Sequence, residues 1–218
     1  KLLLVNFCNE VCAMHSDNRD YIFKELVANA EAILNGCITI SELIDNLDDK
    51  EQISKRVKVL STDSNERVMC ISFYFRDYCI FGDREGDFLY DLGKAIDKCI
   101  NTLYELTSAF VRYDIKELRD DVSSGLSGLK NVAQLLLDVV LAFREMDKIK
   151  TPYKSVNDIK HYRNESYNSY DSSIKKLFTS SKSPIEVLAW QAIYFDIKAT
   201  YDAFADTADL CEFNLISQ

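Results

Sequence analysis

An all-α fold is expected of this chain, and three observations lead there. Its 218 residues hold only six Gly and two Pro, too few for an all-β protein that turns about every ten residues. Apolar residues recur at three- and four-residue spacing over long stretches, the signature of one buried helix face. The best strand candidate, Cys70–Phe75, sits inside one of these helical runs.

Six helices follow in order. The first runs from near the N-terminus to Leu34, with Gly36 as its expected stop. Ser41-Glu42-Leu43-Ile44 opens a second, very long helical pattern that continues towards Tyr78. Gly82 and Gly86 around Asp83-Arg84-Glu85 mark a loop, and a third helix starts near Asp87. Its stripe is Phe88, Leu92, Ala95, Ile96, Cys99, Leu103, Leu106 and Phe110. A short break over Val111 to Asp114 precedes the fourth helix, which carries Leu126, Leu129, Val132, Ala133, Leu136, Val140 and Phe143 and runs to about Met146. Thr151-Pro152 ends it. The fifth helix covers Ser155 to Thr179 and the sixth Pro184 to Asn214. For the sixth, Ser183 can cap, Pro184 suits a first turn that needs no N–H, and Glu186 completes a capping box.

The halves of the chain look alike. Asn65-Glu66 in the second helix matches Asn164-Glu165 in the fifth, and Ile80-Phe81 before Asp87 matches Leu177-Phe178 before Ser183. Asp97 and Asn101 in the third helix match Asp202 and Asp206 in the sixth. The expected organisation is therefore one helical domain over 1–218, with repeat one about 1–113 and repeat two about 114–218.

Composition excludes several functions. A net charge of −9 without a dense basic tract argues against nucleic acid, whose phosphates need clustered Lys and Arg. The longest apolar run, Val132 to Phe143, is broken by Gln134 and Asp138 and falls short of the ~20 residues that span a bilayer. Seven cysteines, with no CxxC pair, read as buried free thiols in a reducing compartment. Cys8, Cys12 and His15 have helix-face spacing but lack a fourth ligand for zinc. His15 and His161 stand in no nucleophile motif, and neither follows a Glu by three positions as a di-iron bundle requires. A glycine-rich phosphate loop, a GxSxG elbow and an HExxH helix are all absent, so no enzyme is expected. Trp190 and the many Tyr and Phe are expected in the core.

Ordered matches carry a family resemblance over about Ser41 to Asn214. They are Leu177-Phe178, Ser183-Pro184-Ile185-Glu186, Trp190, Ile193-Tyr194, Thr200, Asp202 and Asp206-Thr207-Ala208. The first half adds Asp83-Arg84-Glu85, Asp87-Phe88-Leu89-Tyr90, Leu92 and Ala95-Ile96-Asp97. In these the chain resembles the PhoU-like proteins, in their DUF47 branch. The resemblance implies a six-helix bundle of two three-helix repeats and a non-catalytic role in regulating inorganic phosphate uptake. It implies docking on a membrane phosphate transporter from the cytoplasmic side, peripheral to the inner face of the membrane, with metal content or homo-oligomeric state as the signal.

The family's chemistry lies in an E(D)xxxD motif on paired helices, where carboxylates one turn apart gather a divalent or ferric ion. Here Asp202 and Asp206 keep both carboxylates, and Asp97 and Asn101 keep one. The matching positions are Ser61 and Asn65 on the second helix and Arg163 and Tyr167 on the fifth, with Glu165 nearby. An Arg in place of a carboxylate repels a cation, so the resemblance leaves at most one weak ion, near Asp202 and Asp206. Asp97 lies opposite the apolar stripe of its helix and is expected in solvent. Asp202 and Asp206 share the azimuth of Leu188, Phe195 and Ala199, which places them among buried groups that need a Lys, an Arg or a metal as partner. The alternatives are a helical adaptor of another pathway and a metal-binding bundle with a single weak carboxylate site.

Overall fold

A computed structural model describes residues 2–77, 84–145, 150–181 and 183–216, with side chains described for 19–76, 85–145, 152–181 and 183–214. It is all-α, with no strand among the described residues. The helices are α1 (Leu2–Asp45), α2 (Lys50–Asp77), α3 (Arg84–Arg112), α4 (Asp120–Glu145), α5 (Lys150–Ser180) and α6 (Pro184–Ile216), with one 3-10 turn at Leu47–Asp49.

The packing follows a simple scheme. In the first half α1 touches α2, α2 touches α3 and α1 touches α3; in the second, α4, α5 and α6 repeat those three contacts. Two seams join the halves, α1 against α4 and α3 against α6. Among the described residues α2 meets no helix of the second half and α5 none of the first. The inner four helices thus form a square with α2 and α5 as flanks. One contiguous apolar core draws on all six, from Phe23 and Ile33 through Ile71, Leu103, Leu136 and Ile159 to Phe204. Trp190 is in it, edge-on to Phe110.

The first helix boundary differs from expectation. Gly36 does not stop α1, which runs on to Asp45. The glycine serves packing: a Cβ there would lie 3.1 Å from Ile100 Cδ1 and 3.3 Å from Leu103 Cδ1, so its absence lets α3 come close. Ser41 starts no helix, because it donates to the Ile38 carbonyl within α1. The real break is Asn46, in extended conformation, whose side chain accepts from Asp48 N–H at 3.3 Å. An Asx side chain competing with the helical backbone explains the stop.

The other boundaries lie closer. α3 ends at Arg112 in a Schellman arrangement, with Ile115 N–H on Phe110 O and Asp114 N–H on Val111 O, both 3.1 Å. Asp114 takes the left-handed conformation (φ 48°) usual for Gly at such ends, a conformation Asp tolerates better than most residues. Lys50, at the start of α2, ties this turn down with 2.9 Å to Ile115 O and 3.3 Å to Asp114. Pro152 does not terminate α4; it sits in the first turn of α5, where a missing N–H costs nothing. At α6, Ser183 caps Glu186 N–H at 3.4 Å as expected. The Glu186 carboxylate, however, accepts from the Ser181 hydroxyl at 2.8 Å, upstream of the cap.

Two helices, Arg19–Asp45 within α1 and α4, are long and apolar enough to cross a membrane by length and composition. Uninterrupted apolar runs miss this, because Gln134 and Asp138 interrupt α4 without lowering its average enough. In the bundle the two helices pack on each other, with about half of each most apolar window buried.

Candidate functional site

The positions matched to the carboxylate motif fall on two facing helix pairs, α2/α3 and α5/α6. In the first pair Asp97 and Asn101, one turn apart on α3, meet Ser61 and Ser64 of α2. Ser64 donates to Asp97 Oδ1 at 2.8 Å, Asn101 donates to Asp97 Oδ2 at 2.9 Å, and Ser61 donates to Asn101 Oδ1 at 2.6 Å. Asn65 turns back to the Ser61 carbonyl of its own helix at 3.2 Å. Asp97 is therefore half-buried and hydrogen-bonded, not the plain solvated residue its place opposite the stripe suggests. Burial pushes its carboxyl above the ordinary value, while the bonds from Ser64 and Asn101 pull the other way.

In the second pair the partners are cations. Lys198 bonds Asp202 at 3.0 Å and stands 3.9 Å above the Tyr167 ring. Lys98 reaches across the α3/α6 seam to Asp206 at 2.9 Å. Lys160 of α5 holds Asp209 at 2.7 Å and Glu212 at 2.6 Å, and Arg163 lies 3.5 Å from Asp209. The hydrogen bond to Asp206 raises Lys98 above the usual lysine value. Burial lowers Lys198, but its bonds to Asp202 and Tyr167 outweigh that and leave it raised.

Asp202 and Asp206 do share an azimuth with Leu188 and Phe195, but that azimuth faces outward. Leu188 is 66% and Phe195 57% exposed, and the Asp206 side chain is 55% exposed. The expectation of burial fails for Asp206, while Asp202 is partly buried with its side chain 29% exposed; α6 is apolar nearly all round, so periodicity could not say which side meets the core. The core takes Ile193, Ile197, Tyr201, Phe204, Ala208 and Cys211 instead.

These surroundings do not fit a metal cluster. Asp202 and Asp206 each already hold a lysine ammonium, and Asp97 is engaged by two donors. Among the described residues no three His, Cys, Asp or Glu side chains gather as an ion's ligands would. The side chains of Cys8, Cys12 and His15 lie outside the described residues.

Cys37, Cys99 and Cys211 are buried free thiols. Burial pushes Cys99 and Cys211 up to about 12 and raises Cys37 too, which keeps all three protonated and unreactive. Cys70 departs from the expected pattern and is exposed on α2.

Sequence reasoning missed the cation set. Lys98, Lys160 and Lys198 look like ordinary surface lysines in sequence, and only the i, i+4 pair of Lys198 with Asp202 carries a local signal. It also missed the outward apolar face of α6, where Ile185 and Phe213 join Leu188 and Phe195. Compared with known proteins, the chain matches no family model and no curated sequence.

Proposed function

We propose that this chain is a PhoU-like, non-catalytic regulator of inorganic phosphate uptake that docks on the cytoplasmic side of a membrane phosphate transporter. The packing scheme carries the reading. Exchanging α1, α2, α3 for α4, α5, α6 maps every helix contact onto another helix contact, as a duplicated three-helix unit would require. The same exchange maps α3, with Asp97 and Asn101, onto α6, with Asp202 and Asp206, so the eroded motif's positions stand on corresponding helices, although Lys198 of α6 and Lys98 of α3, not α5, hold the second pair. The outward face of α6 supports docking, because Ile185, Leu188, Phe195 and Phe213 are too exposed to serve the core.

With lysines seated on Asp202 and Asp206, the signal is carried by docking and not by metal loading. Full-length tagged chain, purified from cells grown in scarce and in abundant phosphate, should bring down a phosphate permease in one condition more than the other. Leu188→Glu with Phe195→Glu should abolish that complex while leaving the helical content unchanged. No permease at either phosphate level would sink the proposal. The replaced metal ligands favour a second reading, a helical adaptor of another pathway that has kept only the architecture. That reading expects a partner complex indifferent to phosphate.

A further inference from the structure

The outward face of α6 holds more than exposed apolar side chains. Leu188 and Phe195 stand two helical turns apart, about 10 Å along the axis. Tyr113, just past the end of α3, and Tyr170 of α5 lie beside them, and the four border an open groove of about 350 Å³. Leu188, Phe195 and Tyr113 are exposed, so this is apolar surface that the core does not use.

One group in the groove is out of place there. Asp196 lines it and is half-buried. Among the described residues no hydrogen bond or ion pair reaches its carboxylate, yet both oxygens keep accessible surface, unlike Asp121 Oδ2. Burial pushes this carboxyl above its ordinary value, while the charge of Arg112 pulls it down and that of Glu105 pushes it up. Arg112 also borders the groove, but its guanidinium donates to Glu105 at 3.2 Å and leans on the Tyr113 ring. A carboxylate half out of water and without a donor is costly, and a cation brought by a partner removes that cost.

Charge selects the occupant. A second copy docked face to face would set Asp196 against Asp196, and an anionic lipid surface would meet the same acid. A positively charged segment meets the opposite situation. We infer that the groove takes a basic amphipathic helix of the partner protein, which lays apolar side chains on Leu188 and Phe195 over two turns and pairs one Lys or Arg between them with Asp196. This partner chemistry rests on the reading of α6 as the docking face. It also suits that reading, because the chain carries a net charge of −9 and the cytoplasmic segments of membrane proteins carry a surplus of Lys and Arg.

Fluorescence anisotropy on the full chain tests it with labelled Ala/Gln peptides of about 15 residues, long enough to hold helical form. Each carries a leucine stripe, and the three differ only at its centre, in Lys, Met or Glu. The Lys peptide should bind about tenfold more tightly than the Met peptide, as a charged hydrogen bond warrants, and the Glu peptide most weakly. Asp196→Asn should erase the Lys advantage with the circular dichroism unchanged. Glu66→Gln, the same charge change on α2, should keep it, and Leu188→Glu should weaken all three peptides. Four results would each overturn the inference: equal affinity for the Lys and Glu peptides, equal effects of Glu66→Gln and Asp196→Asn, no binding at millimolar peptide, or a dimer in sedimentation that Leu188→Glu breaks. A Lys preference with no permease in the pull-down sinks the phosphate reading alone; a permease captured equally well by Asp196→Asn sinks the groove's pairing alone.

Discussion

Gly128→Ala is the sharpest perturbation of the α4/α6 contact. A Cβ at Gly128 would overlap the Tyr201 hydroxyl. That hydroxyl cannot simply retreat, because it donates to the Gly125 carbonyl at 2.7 Å and the residue is only 5% exposed. Ala gains about 1 kcal/mol over Gly in a helix interior. Against this, overpacking costs about 1–3 kcal/mol, and the displaced hydrogen bond costs about 1 kcal/mol more. The net is a destabilisation of about 1–3 kcal/mol, a fall in Tm of roughly 2–12 °C for a chain of this size. Tyr201→Phe provides the control. It removes the clashing oxygen, and the ring carbon that bore it would stand 3.5 Å from the new Cβ, ordinary contact. The double variant should therefore return near wild-type stability, although each single change costs stability. Urea unfolding followed by circular dichroism gives the double-mutant cycle. If Gly128→Ala equals or exceeds the wild type, or if the two changes simply add, the close approach of Tyr201 to Gly128 is wrong.

Three further outcomes are expected. Gly36→Ala crowds the side-chain tips of Ile100 and Leu103 and meets Leu60 at an ordinary 3.8 Å, so its helix gain should offset the crowding and keep stability within about 1 kcal/mol of wild type; a loss above that range would mean α1 and α3 cannot yield. Asp97 has its folded-state pKa above the unfolded value, so the native state binds more protons between the two. Its contribution to stability therefore falls as pH rises through that window and improves as pH drops. Asp97→Asn should flatten this slope in unfolding curves over the acid range, and an unchanged slope would remove Asp97 as its source. Alkylation at mildly alkaline pH, read by peptide mass spectrometry, should label Cys70 and spare Cys37, Cys99 and Cys211 until denaturant is added; early modification of Cys99 would contradict its burial against Thr207 at 3.4 Å.

Much of the architecture was legible in the sequence because its signals are local. Ser183-Pro184 marks the start of α6 through cap chemistry that needs no tertiary partner, and the α3 stripe from Phe88 to Phe110 names its own buried face. Gly36 misled for the opposite reason. A glycine that stops a helix and a glycine that admits a neighbouring helix look the same until Ile100 and Leu103 are in place. Ser41 and Asn46 are similarly five residues apart and both able to cap, and the choice between them depended on which one kept its side chain within the helix. At the motif positions, the residue types were readable but their partners were not. Asp206 is neutralised by Lys98 from 108 residues away, a pairing that periodicity within one helix cannot reveal. The outward turn of α6 was hidden by a helix apolar on nearly every side.

Among the described residues the two flanks never cross the midline, and that makes this molecule divisible. Lys116 and Glu117, between the α3 turn and α4, are exposed and lie where one half gives way to the other. A protease cut there severs the only covalent link between the halves while leaving both seams untouched. Each piece would carry two helices, α1 with α3 or α4 with α6, whose apolar sides have no other cover, so neither piece has reason to leave the other. A nicked chain should migrate as one particle in gel filtration and part into two bands only in detergent. Co-expressed as separate polypeptides, the halves should find each other and rebuild the bundle, which makes the α3–α4 turn a natural place to split the protein or to insert a reporter.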